Sequence, residues 1–317
     1  MSLRSIITNW NHRRLQIRLK GKQAAMARFW DRAIRDYYAG RLPKYRIEPK
    51  QDLGSQTIIW QYWGQGFSGD QPPLVVKYCL ETVERYRGDC RVIHLSDDTI
   101  SDYIDLPDFI REGLRDNPSL TRTFFSDLLR LALLEAYGGV WLDSTIFMAG
   151  PFEPYYTEPE FFMFQRDPSE PLKKYWRDHL PFAFDWREEY RTNVQNAIIF
   201  AKPQSEVIGT LLDILILYWE RKEDQKFPEV YLFFHILFDC LVGREDGRLH
   251  DHNCRRISDT NVEILQRMMF DDWSAKYGTT EEVLSRYHLQ KMTFKVDHPT
   301  YLHLVELLEE SGHMPRL

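Results

Sequence analysis

Apolar residues recur along this chain with two periods, and their order predicts its architecture. Residues 57–62 (TIIWQY) form a β-branched apolar run, followed by the polar loop WGQGFSGDQPP; residues 74–86 then show helical spacing, with Pro72 and Pro73 at the start. Residues 91–95 (RVIHL) predict a second strand, and Ser96 is placed to cap a short helix after it. Beyond the DNPSL loop, a helix over 126–137 ends at Gly138 and Gly139, and residues 140–142 predict a third strand. Further strands are predicted at 161–164 and 197–200. The stretch between them (165–195), rich in Trp, Arg, Asp and Pro, reads as a lid or substrate loop. From Ser205 onward the pattern is mainly helical. Such β/α alternation argues for a largely parallel, helix-covered sheet.

The amino-terminal region differs from the rest. Residues 3–38 read as helix, with Ile6, Ile7, Trp10, Leu15, Ile17, Leu19, Met26, Phe29, Trp30, Ile34 and Tyr37 as apolar positions and a break near Gly21. Residues 1–46 hold twelve Lys and Arg against Asp31 and Asp36, whereas the remainder holds 29 basic and 45 acidic residues. The sequence is therefore read as a basic helical arm (1–46), a Pro- and Gly-containing linker (42–54) and a main domain (55–317). The arm fits either a solvated helix packed on the domain or a helix lying on an anionic membrane surface. An acidic body argues against nucleic acid as the substrate. The longest apolar stretch, 208–219, falls short of the ~20 residues a bilayer span needs. No secretion leader is evident, and four cysteines without CxxC spacing fit a reducing compartment, so a cytoplasmic location is expected.

Candidate chemistry centres on SDLLRLALLEAYGGVWLDST. A twelve-residue helix and a strand of five or six residues both span about 18 Å, so a tight Gly-Gly turn makes them antiparallel and brings helix start and strand end together. Asp127, Arg130 and Asp143 should then converge at the carboxyl edge of the sheet, where open α/β folds bind ligands. Taken alone, the Asp127 and Arg130 pair, three residues apart, would read as a helix-surface salt bridge; the proximity of Asp143 favours a site.

The segments TIIWQYWGQG, PPLVVKYCLETV, RVIHLSDDTISDYI, FFSDLLRLALLEAYGGVWLDSTIF and YLFFHILFD resemble the capsular polysaccharide synthesis protein family. That family is similar to the family 32 glycosyltransferases and, more remotely, to the clostridial glucosylating toxins. The resemblance covers roughly residues 55–300 and leaves the basic arm outside. It implies a GT-A (Rossmann-like) fold, a nucleotide-sugar donor, a divalent cation (Mn²⁺ or Mg²⁺) and transfer with retention. By position it implies that Trp63, with Trp60 beside it, contributes to donor binding as an aromatic wall for uracil. Asp127 and Arg130 would hold the donor sugar and diphosphate, and Lys291 would touch the diphosphate. Asp143 matches the first acid of a D-x-D motif, and Thr145 stands at the second; together they are the expected metal ligands. Asn196 and His235 are further cleft candidates, each more readily explained as a satisfied core polar group.

The resulting expectation is a metal-dependent glycosyltransferase. It would move a sugar, from a UDP-sugar by preference, to a glycan or lipid-linked oligosaccharide acceptor in capsular or surface polysaccharide synthesis, with residues 1–46 holding it to the inner face of the cell membrane. The alternative is an inactive glycan- or nucleotide-binding module of the same fold, suggested by Thr145 standing where an acid is usual. A phosphatase with an aspartyl nucleophile is disfavoured by the same threonine.

Overall fold

The computed structural model describes residues 3–116, 120–181, 183–221 and 230–316, the side chains of residues 3–18 and 221 excepted. It opens with a long helix, α1 (Leu3–Tyr38). The strands are β1 (Ile58–Tyr62), β2 (Arg91–Leu95), β3 (Gly139–Leu142), β4 (Ile146–Met148), β5 (Phe161–Gln165), β6 (Val194–Ala201) and β7 (Leu289–Lys291). Five of them form the central sheet in the order β2-β1-β3-β6-β5. β1 pairs in parallel with β2 and β3, and β6 runs antiparallel to both β3 and β5. Four strands therefore run one way and β6 the other, the mostly parallel sheet that the alternation predicts. β1 and β5 are buried at every position, as expected of strands covered on both faces, and this explains their continuous apolar sequence.

Between the strands lie α2 (Leu74–Tyr86), α3 (Asp108–Asp116), α4 (Arg122–Tyr137), α5 (Lys173–His179) and α6 (Glu206–Arg221). The carboxyl-terminal third is helical, with α7 (Phe233–Phe238), α8 (Ile264–Phe270), α9 (Ser274–Tyr277), α10 (Thr280–Arg286) and α11 (His298–Glu310). The short helix expected after Ser96 is a single 3₁₀ turn, Ile100–Asp102.

The connection that positions the site runs from α4 into β3. Thr121 caps α4, its side chain accepting from the Phe124 N–H, so the helix starts four residues before the apolar pattern suggests. At the other end Gly138 and Gly139 have φ of +67° and +98°, a region that side chains disfavour. A Cβ on Gly139 would lie 2.4 Å from the Ile58 carbonyl oxygen, so glycine is required for the turn to pack on β1. α4 and β3 thus lie side by side, helix start beside strand end.

One expectation about α1 is corrected, and one of the two readings of the arm is favoured. α1 runs unbroken through Gly21, because a single interior glycine costs only about 1 kcal/mol, too little to end a helix that tertiary contacts hold. Its second half is not a separate arm: Met26, Ala27, Trp30, Ile34 and Tyr37 are buried in the main core. The Trp30 indole donates to the Phe233 carbonyl at 3.0 Å and the Tyr37 hydroxyl to Asp213 at 2.7 Å. The 165–195 stretch, expected as a lid or substrate loop, is anchored to the domain. It contains α5, and buried Arg166 clamps it, donating to the carbonyls of Ala183 and Asp185 (both 2.7 Å) and to the Asp259 carboxylate. No helix among the described residues is long and apolar enough to cross a membrane.

Candidate active site

The carboxyl ends of β1 and β3 and the first half of α4 open into a cleft of about 710 Å³. Asp127, Arg130, Asp143, Thr145, Lys291 and Trp63 all line it. Asp143 follows directly on β3, its N–H bonded to the Ala197 carbonyl of β6 at 2.9 Å. Asp127 and Arg130 share the cleft-facing side of α4, three residues apart.

Arg130 is the hub of the cluster. Its guanidinium donates to the Ser126 carbonyl (2.9 Å), the Ser126 hydroxyl (2.8 Å) and the Asn196 carbonyl (2.7 Å). It also pairs with Asp127 at 3.2 Å and Asp143 at 3.5 Å. Three of its five N–H donors are thus spent on hydrogen bonds to the chain, and the ion pairs hold the guanidinium between the two carboxylates. In this arrangement Arg130 is a buried charge, 3% exposed, that lies behind the two carboxylates.

Those carboxylates differ in their electrostatics. Burial pushes the Asp127 carboxyl up to about 6 and neighbouring Asp143 adds to the rise, against the opposing pull of Arg130 and of the Asn196 amide, which donates to Asp127 Oδ1 at 2.8 Å. The other Asp127 oxygen makes no hydrogen bond among the described residues and is free to accept one. At Asp143 burial also acts upward, but Lys291 and Arg130, with hydrogen bonds from Lys291 and the Trp141 indole, outweigh it and hold the carboxyl below its usual value. Two acids in one cleft are thus pushed apart, a pattern typical of working sites.

Lys291 reaches this point through pairing that the sequence pattern does not reveal. β7 runs antiparallel to β4 with Lys291 opposite Ile146, and the Met292 N–H bonds to the Thr145 carbonyl at 2.8 Å. The ammonium donates to Asp143 Oδ2 at 2.6 Å and to Thr145 Oγ at 2.7 Å. Asp143 Oδ1 meanwhile accepts from the Trp141 indole at 2.8 Å. A divalent ion bonds carboxylate oxygen at about 2.1 Å, so on Oδ2 it would lie against the ammonium, like charge on like. No three His, Cys, Asp or Glu among the described residues group as metal ligands. The donor set expected to hold Mn²⁺ or Mg²⁺ therefore does not fit a divalent ion as it is arranged.

The aromatic expectations divide. Trp63 lies in the cleft wall, its indole N–H donating to Gln71 at 3.2 Å and its ring edge-on to Phe294 at 5.2 Å between centroids. Trp60 does not belong to the site. It is fully buried between Tyr103 and Tyr137 and donates to the Gly138 carbonyl at 3.0 Å. Of the two polar residues read as core, Asn196 holds Asp127 in the site itself. His235 lines the cleft with Nδ1 unpartnered among the described residues; burial, with Arg130 and Arg166 nearby, pushes its pKa down to about 3, so it is neutral.

Two lining residues were missed by sequence reasoning. Glu263, just before α8, accepts from the side-chain amides of Gln195 (3.1 Å) and Gln266 (2.9 Å), and burial pushes it up to about 7. Tyr231 stands 68% exposed at the cleft lip, 5.8 Å from the Phe124 ring. Nothing local marks Glu263 as a site residue, and Tyr231 opens the YLFFHILFD segment without being given a role there.

The family model described as capsular polysaccharide synthesis protein matches residues 13–303. The chain belongs to that family. The match begins inside α1, so most of the arm expected to lie outside the family falls within it, in keeping with the burial of that helix's second half in the core. The chain is also similar to the O-glycosyltransferase braB of Annulohypoxylon truncatum, 29% identical over 111 residues, 32% of this chain and 26% of that protein. It thus spans about a quarter of the length of that curated relative. Among solved structures it is similar to the PaToxG glycosyltransferase (17% identity, 70% of this chain and 79% of that one, TM-score 0.33). A glycosyltransferase involved in the glycosylation of the major capsid of PBCV-1 is also similar (10% identity, 80% and 99%, TM-score 0.35).

Proposed function

We propose that this capsular polysaccharide synthesis protein is a glycosyltransferase. It moves a sugar from a nucleoside-diphosphate donor, a UDP-sugar by preference, to a glycan or lipid-linked oligosaccharide acceptor, with retention at the anomeric carbon. One observation carries the reading: two carboxylates, Asp127 and Asp143, converge on one arginine and with an ammonium in a deep cleft at the carboxyl edge of the sheet. The free oxygen of Asp127 accepts a hydroxyl of the donor sugar, Lys291 faces the diphosphate, and the Trp63 ring offers a surface for the base.

In the transfer step the bond between anomeric carbon and diphosphate oxygen breaks, and its electron pair stays on the diphosphate. The acceptor oxygen bonds to the anomeric carbon from the same face and its proton passes to the departing oxygen. A lipid-linked acceptor suits an enzyme at a membrane. Residues 1–22 hold six basic residues and no acid, and each base near an anionic surface contributes ~1 kcal/mol.

The test is to incubate the purified protein with a panel of UDP- and GDP-sugars and follow nucleotide release, alone and with glycan acceptors. Release from one donor, abolished in Asp127→Ala, is expected. Tight donor binding without any release would favour the inactive binding module, and neither binding nor release would remove the nucleotide-sugar reading.

A further inference from the structure

The oxygens that would receive a divalent ion are already bound by a cation of the chain. The Lys291 ammonium sits 2.6 Å from Asp143 and 2.7 Å from Thr145, and both the Asp143 and Lys291 side chains are 23% exposed, at the floor of the cleft. This is not a surface side chain that happens to swing inward. The antiparallel pairing of β4 with β7 fixes Lys291 opposite Ile146, one residue beyond Thr145, so sheet register delivers the ammonium to the LDST turn.

We propose that Lys291 takes the place of the divalent cation, its ammonium neutralising the diphosphate of the bound donor and of the leaving group, so that nucleotide binding needs no metal. This rests on the nucleotide-sugar reading above and deepens it by naming the counter-charge. An ammonium has three donors and no acceptor. Two of the three are used on Asp143 and Thr145, which leaves one for a phosphate oxygen. Arg130 is buried behind Asp143 at 3.5 Å, and its charge partly offsets that carboxylate, so less of the ammonium's field is cancelled before it reaches a phosphate. Lys295 lines the same wall four residues further on and adds a second ammonium. A metal at Asp143 would have to expel Lys291 first, exchanging a bonded ion pair for like-charge contact. The role needs the ammonium as a charge and not as an acid, so no proton leaves it.

The test has two arms, each on the full chain. In the first, UDP and GDP are titrated calorimetrically into protein freed of metal with EDTA and again with excess Mn²⁺. The nucleotide that binds is expected to do so with affinities equal within about twofold in the two conditions, since without a shared metal the coupling is near zero. Lys291→Met and Lys291→Gln, each checked for folding by circular dichroism, should weaken binding in EDTA by at least about tenfold, the loss of a charge-assisted contact. Binding that appears only with Mn²⁺, or unweakened binding in both variants, would overturn the proposal. In the second arm Mn²⁺ alone is followed by electron paramagnetic resonance. Wild type should leave the free-ion signal intact, and Lys291→Met should diminish it by exposing Asp143 and Thr145, an effect lost on adding Asp143→Asn. Mn²⁺ uptake by wild type that disappears in Asp143→Asn would overturn the proposal even if neither nucleotide binds, an outcome that by itself counts against the nucleotide-sugar reading.

Discussion

Asn196 and Arg130 are joined through the Asn196 backbone, whose carbonyl accepts from the guanidinium at 2.7 Å, while the Asn196 side-chain amide donates to Asp127 at 2.8 Å. One residue of β6 thus fixes both Asp127 and Arg130 of α4. Asn196→Ala cuts only the second link, because the carbonyl remains. It should lower kcat/KM for donor turnover at least about tenfold, the scale of a hydrogen bond to a charged group. Arg130→Ala should cost at least about a hundredfold, since both carboxylates lose their common partner. The double variant should fall short of the product of the two, because the residues act as a unit. Nucleotide-release rates check all three, and a normal rate in Asn196→Ala would detach β6 from the site.

The raised pKa of Asp127 gives the enzyme a pH signature. In the unfolded chain the carboxyl has a value near 3.8, and in the fold burial takes it to about 6. The neutral form is therefore favoured by folding: the stability it contributes is fully present below 3.8 and is lost as pH rises through about 6. At 1.36 kcal/mol per tenfold, ionising Asp127 costs about 3 kcal/mol of stability at alkaline pH. Asp127→Asn should then raise Tm at pH 8 and leave it nearly unchanged at pH 4. Donor turnover needs the carboxylate, so kcat/KM should fall as pH drops below about 6. Asn196→Ala removes a hydrogen bond that lowers this pKa and should move that limb to higher pH. A Tm difference independent of pH, or a limb that stays in place, would count against Asp127 as the titrating group.

Much of this cluster was legible from sequence because it is local. The helix period over 126–137, the Gly138-Gly139 turn and the apolar run after it fix the relative placement of Asp127, Arg130 and Asp143 within seventeen residues. Lys291 was named only through a motif resemblance, and its actual bond to Asp143 was not foreseen. It depends on two three-residue strands, β4 and β7, about 140 residues apart and too short to show a period. Glu263 and Tyr231 escaped for the same reason, being brought to the cleft by the packing of the helical third. Trp60 and Trp63 look alike in sequence; what separates them is that β1 is buried on both faces whereas Trp63 lies past its end. The arm misled for a different reason. Its charge count is conspicuous, while the five apolar residues that bind it to the core are spread among those charges.

That mixture makes the two halves of α1 experimentally separable. Trp30→Ala should destabilise the protein by about 3–5 kcal/mol, the cost of emptying a large buried aromatic site, and deletion of residues 1–46 should leave a chain that does not fold. If the arm engages membranes, the full chain should cosediment with anionic liposomes in a salt-sensitive manner, and deletion of residues 1–18 should abolish that binding. Equal binding to neutral liposomes, or full binding by the shortened chain, would argue against the electrostatic role.

The two tryptophans around the end of β1 give the last discrimination, because the same substitution should fail in different ways. Trp60 is fully buried and bonded to the carbonyl of Gly138, at the turn that aligns α4 with β3. Trp60→Ala should therefore lower stability by about 3–5 kcal/mol and disturb the site only through the fold. Trp60→Phe, which keeps the ring but leaves that carbonyl without its partner, should cost less, about 1–3 kcal/mol. Trp63 is half-exposed in the cleft wall, and a donor base stacked there would gain an aromatic face. Trp63→Ala should leave stability within about 1 kcal/mol of wild type, as substitutions away from the core usually do. Its effect should appear as a raised donor KM with kcat nearly unchanged, the mark of binding lost equally from ground and transition states. Trp63→Phe should restore most of that affinity. An unchanged KM in Trp63→Ala would move the base elsewhere in the cleft, and a fall in kcat alone would place Trp63 against the reacting sugar instead.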